Sequence, residues 1–388
     1  MKSEWTKIQV DNLGTIITGK TPTTRKPEYW GGKILFVTPK DLQGTKHISQ
    51  TERHITNAGL ESTRSCELPA NAVCVSCIGN IGYVGMTSQK CMSNQQINSI
   101  VANKTHDPSF IYYLMKSLWS FFKNYEGQST TLSILNKTQF SKIEVSVPQL
   151  TIQKRISGIL SALDDKIELN NKINENLEQQ ARLTLNWWMG EHSREYKSLP
   201  LSDIATVNES VYSPKEQWHF VNYLDTSSIT DGIITELQHI VPAIDKLPSR
   251  ARRKIVTNDI VFSTVRPNQH HFGIIKQPVS NMLVSTGFAV IRSKTKEICN
   301  ELIYLRLTED SFIESMQQIA EQSTSTFPSI KPSDLYQCEI PCPIDDKLTI
   351  LLENVFSIIA INQKENLGLS QLRDALLPKL MNGEIEIY

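Results

Sequence analysis

The sequence predicts an α+β protein: two tandem α/β domains separated by two long antiparallel, coiled-coil-like helices, related as a pseudo-twofold internal repeat. Three observations predict this. The two halves match each other in an ordered series of segments, and each half mixes short apolar strands with helices. Each half also ends in a segment near 40 residues long that carries a heptad-like apolar seam and almost no helix breaker. The boundaries are a first globular domain over 1–148, a central spacer helix over 149–190, a second globular domain over 196–343 and a C-terminal spacer helix over 344–388.

The repeat organises the chain. WTKIQVDNLGTI from Trp5 corresponds to YKSLPLSDIATV from Tyr196, and NAVCVS from Asn71 to NDIVFS from Asn258. FIYYL from Phe110 corresponds to LIYLR from Leu302, QST at Gln128 to QST at Gln322, and IEVSVP ending at Pro148 to CEIPCP ending at Pro343. Each match alone is weak. Their conserved order, with an offset drifting between about 187 and 195 residues, identifies a tandem duplication.

Within the first half, Ile34–Pro39, the stretch from Asn71, the stretch from Ile97 and the stretch from Ile143 read as short apolar strands. Asp107-Pro108 is a helix cap followed by a first-turn proline, and it predicts an aromatic-rich helix to about Tyr125. Pro148 closes the last strand. Between 149 and 189 the only glycine or proline is Gly158, so one long helix is expected. Its seam is Ile156, Leu160, Leu163 and Ile167, then Asn170 and Asn174, then Leu177 and Ala181. In the second half the seam is Leu351, Val355 and Ile358, then Asn362 and Glu365, then Leu369, Leu372 and Leu376. Both are apolar at the ends and polar in the middle, so each helix is the natural partner of the other.

Composition narrows the function. Apolar residues form 39% of the 388 and charged residues 21%, with no run approaching the ~20 apolar residues of a membrane span. The start MKSEWTKIQV lacks an apolar signal core, and seven irregularly spaced cysteines suit a reducing compartment, so a cytoplasmic protein is expected. Forty basic and forty acidic residues cancel, so any contact with a polyanion must come from local clusters. Two stand out: Lys246, Arg250, Arg252, Arg253 and Lys254 without an acid among them, and Lys20, Arg25, Lys26, Lys33, Lys40 and Lys46 against Glu28 and Asp41.

Several motifs imitate catalytic ones. Gly14–Thr21, GTIITGKT, fits the phosphate-loop pattern G-x-x-x-x-G-K-[ST], which requires a helix launched at its lysine. Pro22 and Pro27 follow at once and forbid that helix. Cys74 and Cys77 form a C-x-x-C, but Cys66 and Cys91 do not supply the second close pair that tetrahedral zinc needs. Their repeat partners are Val261 and Thr264, so core packing is expected and no metal site. Adjacent His270 and His271 lack ligand geometry. No glycine-rich cofactor turn, nucleophile elbow or nuclease-like carboxylate pair is present. The chain reads as a binding protein and not as an enzyme.

Gly19–Leu42, GKTPTTRKPEYWGGKILFVTPKDL, resembles the opening pattern of type I restriction–modification specificity subunits. The segment PQLTIQKRISGILSALDDKIELNNKINENLE from Pro148 resembles their spacing helix, and Leu376–Ile387, LLPKLMNGEIEI, their C-terminal ending. Residues 208–220 lack the G-x-T-P and Tyr-Trp elements, which implies a second recognition domain of different lineage. The resemblance implies that each globular domain is a target-recognition domain for half of a split, asymmetric DNA site. The helices then set the separation and dock two methyltransferase subunits, and endonuclease/translocase subunits join them. It implies no cofactor on this chain; S-adenosylmethionine, ATP and Mg belong to the partners.

Base readout then falls to polar side chains on loops between strands, with basic neighbours on the phosphates. In the first half these are Lys20, Thr21, Arg25, Asn80, Gln95, Gln96, Ser129 and Thr130. In the second they are Arg250, Arg252, Arg253, Arg266, Asn268, Gln269, His270, Ser323 and Thr324. Two alternatives stay open at this point: an ATP-binding protein using Gly14–Thr21, and a coiled-coil scaffold with no DNA role.

Overall fold

The structure, a computed structural model, describes residues 5–44, 46–127, 133–192, 196–295, 297–323, 328–342, 346–385 and 387. The chain divides into two compact units, residues 1–169 with 365–388, and residues 170–364. Each unit thus takes one globular domain together with part of each long helix, a grouping that cuts across a four-segment division of the sequence.

The strands of the first unit are β1 (Thr6–Gln9), β2 (Gly14–Thr18), β3 (Trp30–Val37), β4 (His47–Ile48), β5 (Arg53–Ile55), β6 (Val73–Ser76), β7 (Val84–Thr87), β8 (Met92–Ser93), β9 (Ile97–Ala102) and β10 (Glu144–Val147). Its helices are α1 (Asn57–Ser62), α2 (Pro108–Ser117), α3 (Trp119–Gly127) and α4 (Lys137–Ser141). A five-stranded sheet runs in the order β2-β9-β6-β7-β4, a second sheet β5-β3-β8, and β1 pairs with β10. The apolar run at β6 has no polar alternation because both of its faces are covered. Val73 and Val75 enter the core that holds Phe110, Tyr113 and Phe140, while Cys74 enters the one with Leu35, Val37 and Ile97. Asp107 caps α2, its carboxylate accepting from Phe110 N at 2.8 Å. The expected single helix to Tyr125 is instead two, because a tight turn at Leu118, with its N–H on Met115 O, separates α2 from α3.

A long helix, α5 (Leu150–Glu191), follows. The second unit has β11 (Lys197–Pro200), α6 (Leu201–Ile204), β12 (Ala205–Val207), β13 (Val221–Leu224), β14 (Ile229–Thr230), β15 (Ile233–Ile234), β16 (Gln238–Ile240), β17 (Ala251–Lys254), β18 (Asp259–Ser263), β19 (Phe272–Ile275), β20 (Met282–Ser285) and β21 (Phe288–Ser293). Then come α7 (Asn300–Leu307), α8 (Asp310–Glu321), β22 (Glu339–Cys342) and α9 (Asp346–Met381). Its sheets are β12-β21-β18-β19 and β16-β13-β20-β17, with β11 on β22 and the β14–β15 hairpin apart. The cores of these sheets repeat those of the first unit, β12-β21-β18-β19 matching β2-β9-β6-β7 and the parallel pair β13·β20 matching β3·β8, while β4, β17 and the hairpin are particular to one unit.

In each unit a stretch of α5 pairs with a stretch of α9. In the first, Ile156 and Leu160 are buried with Leu377 and Leu380, Leu163 and Ile167 are half-buried, and Arg373 Nη1 donates to Asp164 Oδ1 at 2.7 Å. In the second, Ala181, Leu185 and Trp188 are buried with Leu348, Leu352, Phe356 and Ile359, Leu177 is half-buried, and Asn362 Nδ2 donates to Asn174 Oδ1 at 2.8 Å. The seam expected on α9 is corrected by one residue. Leu351, Ile358 and Leu372 are exposed, and Val355, Leu369 and Leu376 are half-buried, because Leu352, Phe356 and Ile359 face the core in their place. Residues 348–361 are apolar nearly all round the helix, so two heptad phases fit equally well. Phe356 decides between them, packing edge-on against Tyr304 at 5.4 Å.

Candidate nucleic-acid interface

The site is built by strand register. In the first unit Thr18 lies opposite Asn98, Ser76 opposite Ile97 and Val75 opposite Val84, so the loops 19–29, 77–83 and 94–96 leave the same end of one sheet. Backbone bonds tie them together: Gly19 N to Ile97 O at 3.0 Å, Lys20 N to Ser93 O at 2.9 Å, and Cys77 N to Gln96 O at 2.7 Å. Gly19 is required for that approach, since a Cβ there would stand 2.1 Å from Asn94 O. This end therefore gathers Lys20, Thr21, Asn80, Gln95 and Gln96. Thr21 Oγ1 donates to Gln95 Oε1, and Asn94 Nδ2 donates to Gln96 Oε1 at 2.9 Å. Arg25 is exposed further out on the first of these loops.

The second unit repeats the construction. Ser263 lies opposite Phe288, Phe262 opposite Phe272 and Ala251 opposite Ser285, so the loops 264–271 and 286–287 meet the end of the 241–250 loop. Thr286 N bonds Arg250 O at 2.9 Å and Thr264 N bonds Gly287 O at 2.8 Å. Bridges between Ile78 and Ile134, and between Val265 and Ser329, bring Ile134 and Ser329 to the same end in the two units. Ser323 accepts from Ser329 N at 3.4 Å, while Ser129, Thr130 and Thr324 lie outside the described residues. Arg266, Asn268 and Gln269 are exposed and His270 half-buried on a short turn with positive φ at both ends, 47° at Arg266 and 57° at His270. A left-handed conformation at two non-glycine residues marks a loop held in shape by its surroundings.

The basic clusters are less uniform than their sequences imply. Arg250 is exposed, and Arg252 Nε donates to Ser249 O at 3.3 Å. Arg253 is half-buried with its Nε enclosed, and burial holds its guanidinium below the ordinary value. Lys254 is paired with Glu216. Lys46 is no phosphate ligand at all. It is buried, with Nζ on Ser161 Oγ at 2.6 Å and Ser109 Oγ at 3.2 Å, and burial lowers its pKa.

The catalytic look-alikes resolve as packing. Gly14–Thr18 is a sheet strand, and the chain after Thr21 turns into a 3-10 segment at Pro27–Tyr29, so no helix N-terminus stands at Lys20 to cradle phosphate. Cys74 and Cys77 are buried in different cores, Cys74 with Leu35 and Ile97 and Cys77 with Val73 and Phe110, and burial pushes both thiols up to about 12. Among the described residues no group of three or more His, Cys, Asp or Glu could hold a metal ion, and no helix is long and apolar enough to cross a membrane.

A model of the type I restriction modification DNA specificity domain matches residues 2–179. Over 99% of its length the chain is 27% identical to the MjaIX specificity subunit of Methanocaldococcus jannaschii, covering 94% of that protein. Over 44% of its length it is 33% identical to the HindI specificity subunit of Haemophilus influenzae, 39% of that protein. Over nearly its whole length the chain is similar to type I restriction specificity subunits. A solved S subunit from M. genitalium shares the fold with TM-score 0.57 at 16% identity, over 100% of this chain and 97% of that one.

Three features of this chain are not read from its sequence motifs. Arg53 stacks over Trp30, its guanidinium carbon 3.8 Å from the ring centre, and Lys123 sits 4.5 Å over Trp119 beside Tyr83. His270 Nδ1 meets Asp231 Oδ1 at 2.9 Å. Arg53 with Trp30 and Asp231 with His270 join residues distant in sequence, whereas Lys123 and Trp119 stand four apart on α3; that spacing and Thr230-Asp231-Gly232-Ile233, an Asp-Gly hairpin signal, were there to be read.

Proposed function

We propose that this chain is the DNA-recognition subunit of a type I restriction–modification complex, reading a bipartite asymmetric target with one half-site per unit. The observation that carries the reading is the repeated sheet end. In both units, loops at equivalent strand ends gather basic and amide side chains, the types that pair with guanine and adenine edges in the major groove. The chain itself performs no chemistry in this reading. Two methyltransferase subunits supply S-adenosylmethionine, endonuclease/translocase subunits supply ATP and Mg chemistry, and all assemble in the cytoplasm. The long helices separate the half-sites and offer the docking surface; about 40 residues at ~1.5 Å each span roughly 60 Å.

Zero net charge fits a subunit that binds DNA tightly only in company. The test is to isolate the chain with its partners from its native host, then footprint the complex on DNA and map the methylated bases. A bipartite motif protected and methylated by the complex supports the reading. Nanomolar, sequence-specific binding by the pure single chain at physiological salt contradicts its dependence on partners, and a complex that leaves DNA unprotected contradicts the reading as a whole.

A further inference from the structure

We infer that Asp231 is a positioning residue for DNA readout, holding His270 in one tautomer so that its Nε2 accepts a hydrogen bond from an exocyclic amino group in the major groove. The inference rests on the DNA-reading role proposed above and deepens it at one side chain.

The turn that carries His270 is buttressed by a hairpin. Strands β14 and β15 are joined by Asp231 and Gly232 at φ 45° and 75°, the left-handed pair of a two-residue hairpin turn. The hairpin is bonded to the reading loop along its length. Asp231 N donates to His270 O and Gly232 N to Phe272 O, each at 2.9 Å, and His271 Nδ1 lies 2.7 Å from Ile229 O. From the other side Gln363 Nε2 of α9 donates to Gly232 O at 2.9 Å. The hairpin is therefore a support built against the loop.

The imidazole is fixed on two sides. Its Nδ1 meets the Asp231 carboxylate, and its ring stacks at 5.5 Å on buried Phe272. A carboxylate only accepts, so Nδ1 carries the hydrogen; on the neutral ring Nε2 is then an acceptor. No hydrogen bond occupies Nε2 among the described residues, and the side chain keeps 39% of its exposure. An acceptor at the reading end matches the N6 amino group of adenine or the N4 amino group of cytosine, and it repels the O6 and N7 acceptors of guanine. A side chain ordered before DNA arrives loses little rotamer freedom on binding, which is what a discriminating contact needs.

The test uses the full chain assembled with its methyltransferase partners and reads the methylated motif genome-wide. Asp231 and His270 both sit at positive φ, so glycine removes either side chain without straining the turn. His270→Gly is expected to relax one position of the second half-site about ten- to a hundredfold. Asp231→Gly is expected to relax the same position, and Asp231→Asn, whose amide oxygen still accepts from Nδ1, to restore most of the preference. The inference is overturned if Asp231→Gly leaves that position unchanged, if Asp231→Asn is no better than Asp231→Gly, or if His270→Gly relaxes nothing. Should a glycine variant not assemble, Asp231→Asn and His270→Gln decide on the same readout, retention for the first and altered preference at one position for the second. Arg250→Ala separates the two levels. If it changes the motif while His270→Gly does not, the inference alone fails; if neither changes it, the assignment of the reading end fails with it.

Discussion

The two units share a scaffold and differ in how they hold it. Asn71 and Asn258, equivalent in the repeat, both take left-handed φ, 65° and 71°, and both donate their N–H across the sheet at 2.8 Å, to Thr87 O and Ile275 O. The central strands β6 and β18 are buried on both faces in each case. The helix contacts differ. In the first unit a buried network joins them, with Asp164 accepting from Arg373 and, at 2.6 Å, from Tyr113 Oη; in the second, amides of Asn174 and Asn362 meet. The reading ends differ as well, with an ungarnished loop after β2 in one and a buttressing hairpin in the other. Strand pairing and two-sided burial define the shared frame, while loops and polar contacts are free to diverge, which is what a reader of two different half-sites requires.

The comparison can be broken first at the helix contacts. Asp164→Ala removes the buried acceptor of Tyr113 and one of the two carboxylates on Arg373, which keeps Asp374 at 2.8 Å, and is expected to destabilise the first unit by about 3 kcal/mol. Asn174→Ala, which removes a neutral amide bond, is expected to lower stability by about 1 kcal/mol. Urea unfolding of the two variants checks the order; equal losses would mean the two contacts hold the helices alike. The corrected seam on α9 gives the next effect. Phe356→Ala is expected to destabilise by about 3–5 kcal/mol, whereas Ile358→Ala, exposed, stays within about 0.5 kcal/mol. A reversed order restores the phase through Leu351 and Ile358.

In the assembled complex, replacing Arg250, Arg252 and Arg253 with alanine is expected to weaken binding by about 1–3 kcal/mol for each arginine that reads a base, with a shallower salt dependence. Single substitutions are expected to place most of the effect at Arg250, since Arg253 is partly enclosed. An unchanged affinity and salt slope removes this strand end from the interface.

The smallest effect concerns Cys74, whose equivalent is Val261. Cys74→Val makes the first unit like the second and is expected to change neutral-pH stability by less than about 1.5 kcal/mol. Its thiol is raised by burial from 9.0 to about 12, so the folded state keeps a proton that the unfolded state releases. That contribution is fully present below pH 9 and is lost as pH rises from 9 toward 12. The valine variant is expected to lose less stability over that range than the parent, by titration of the unfolding midpoint; equal alkaline losses would show that the Cys74 proton plays no part.

What was legible follows the range of the forces involved. The Asp107-Pro108 cap, the strands of the repeat and the unbroken run of α5 are local patterns, and each stands in the structure, although β3 begins at Trp30 and not at the expected Ile34. The phase of the α9 seam was not local, because apolar residues surround that helix and only the Tyr304 contact chooses among them. The burial of Lys46 depends on Ser161, 115 positions away, and no motif announces it. At the candidate site, the loops were legible as breaks between strands, but the pairing of Asp231 with His270 spans 39 positions and is a product of tertiary folding.

In the proposed reading the spacing of the two half-sites follows the length of the long helices, and that dependence is open to direct measurement. It is tested most directly by inserting about one helical turn, four residues, in both helices where each passes from one unit to the other, after Leu169 in α5 and after Lys364 in α9. One turn adds roughly 5 Å, or one to two base pairs at ~3.4 Å each. Genome-wide mapping of methylated sites is expected to return both half-site sequences unchanged with a gap longer by one or two base pairs. Altered half-sites with the original gap would contradict the account.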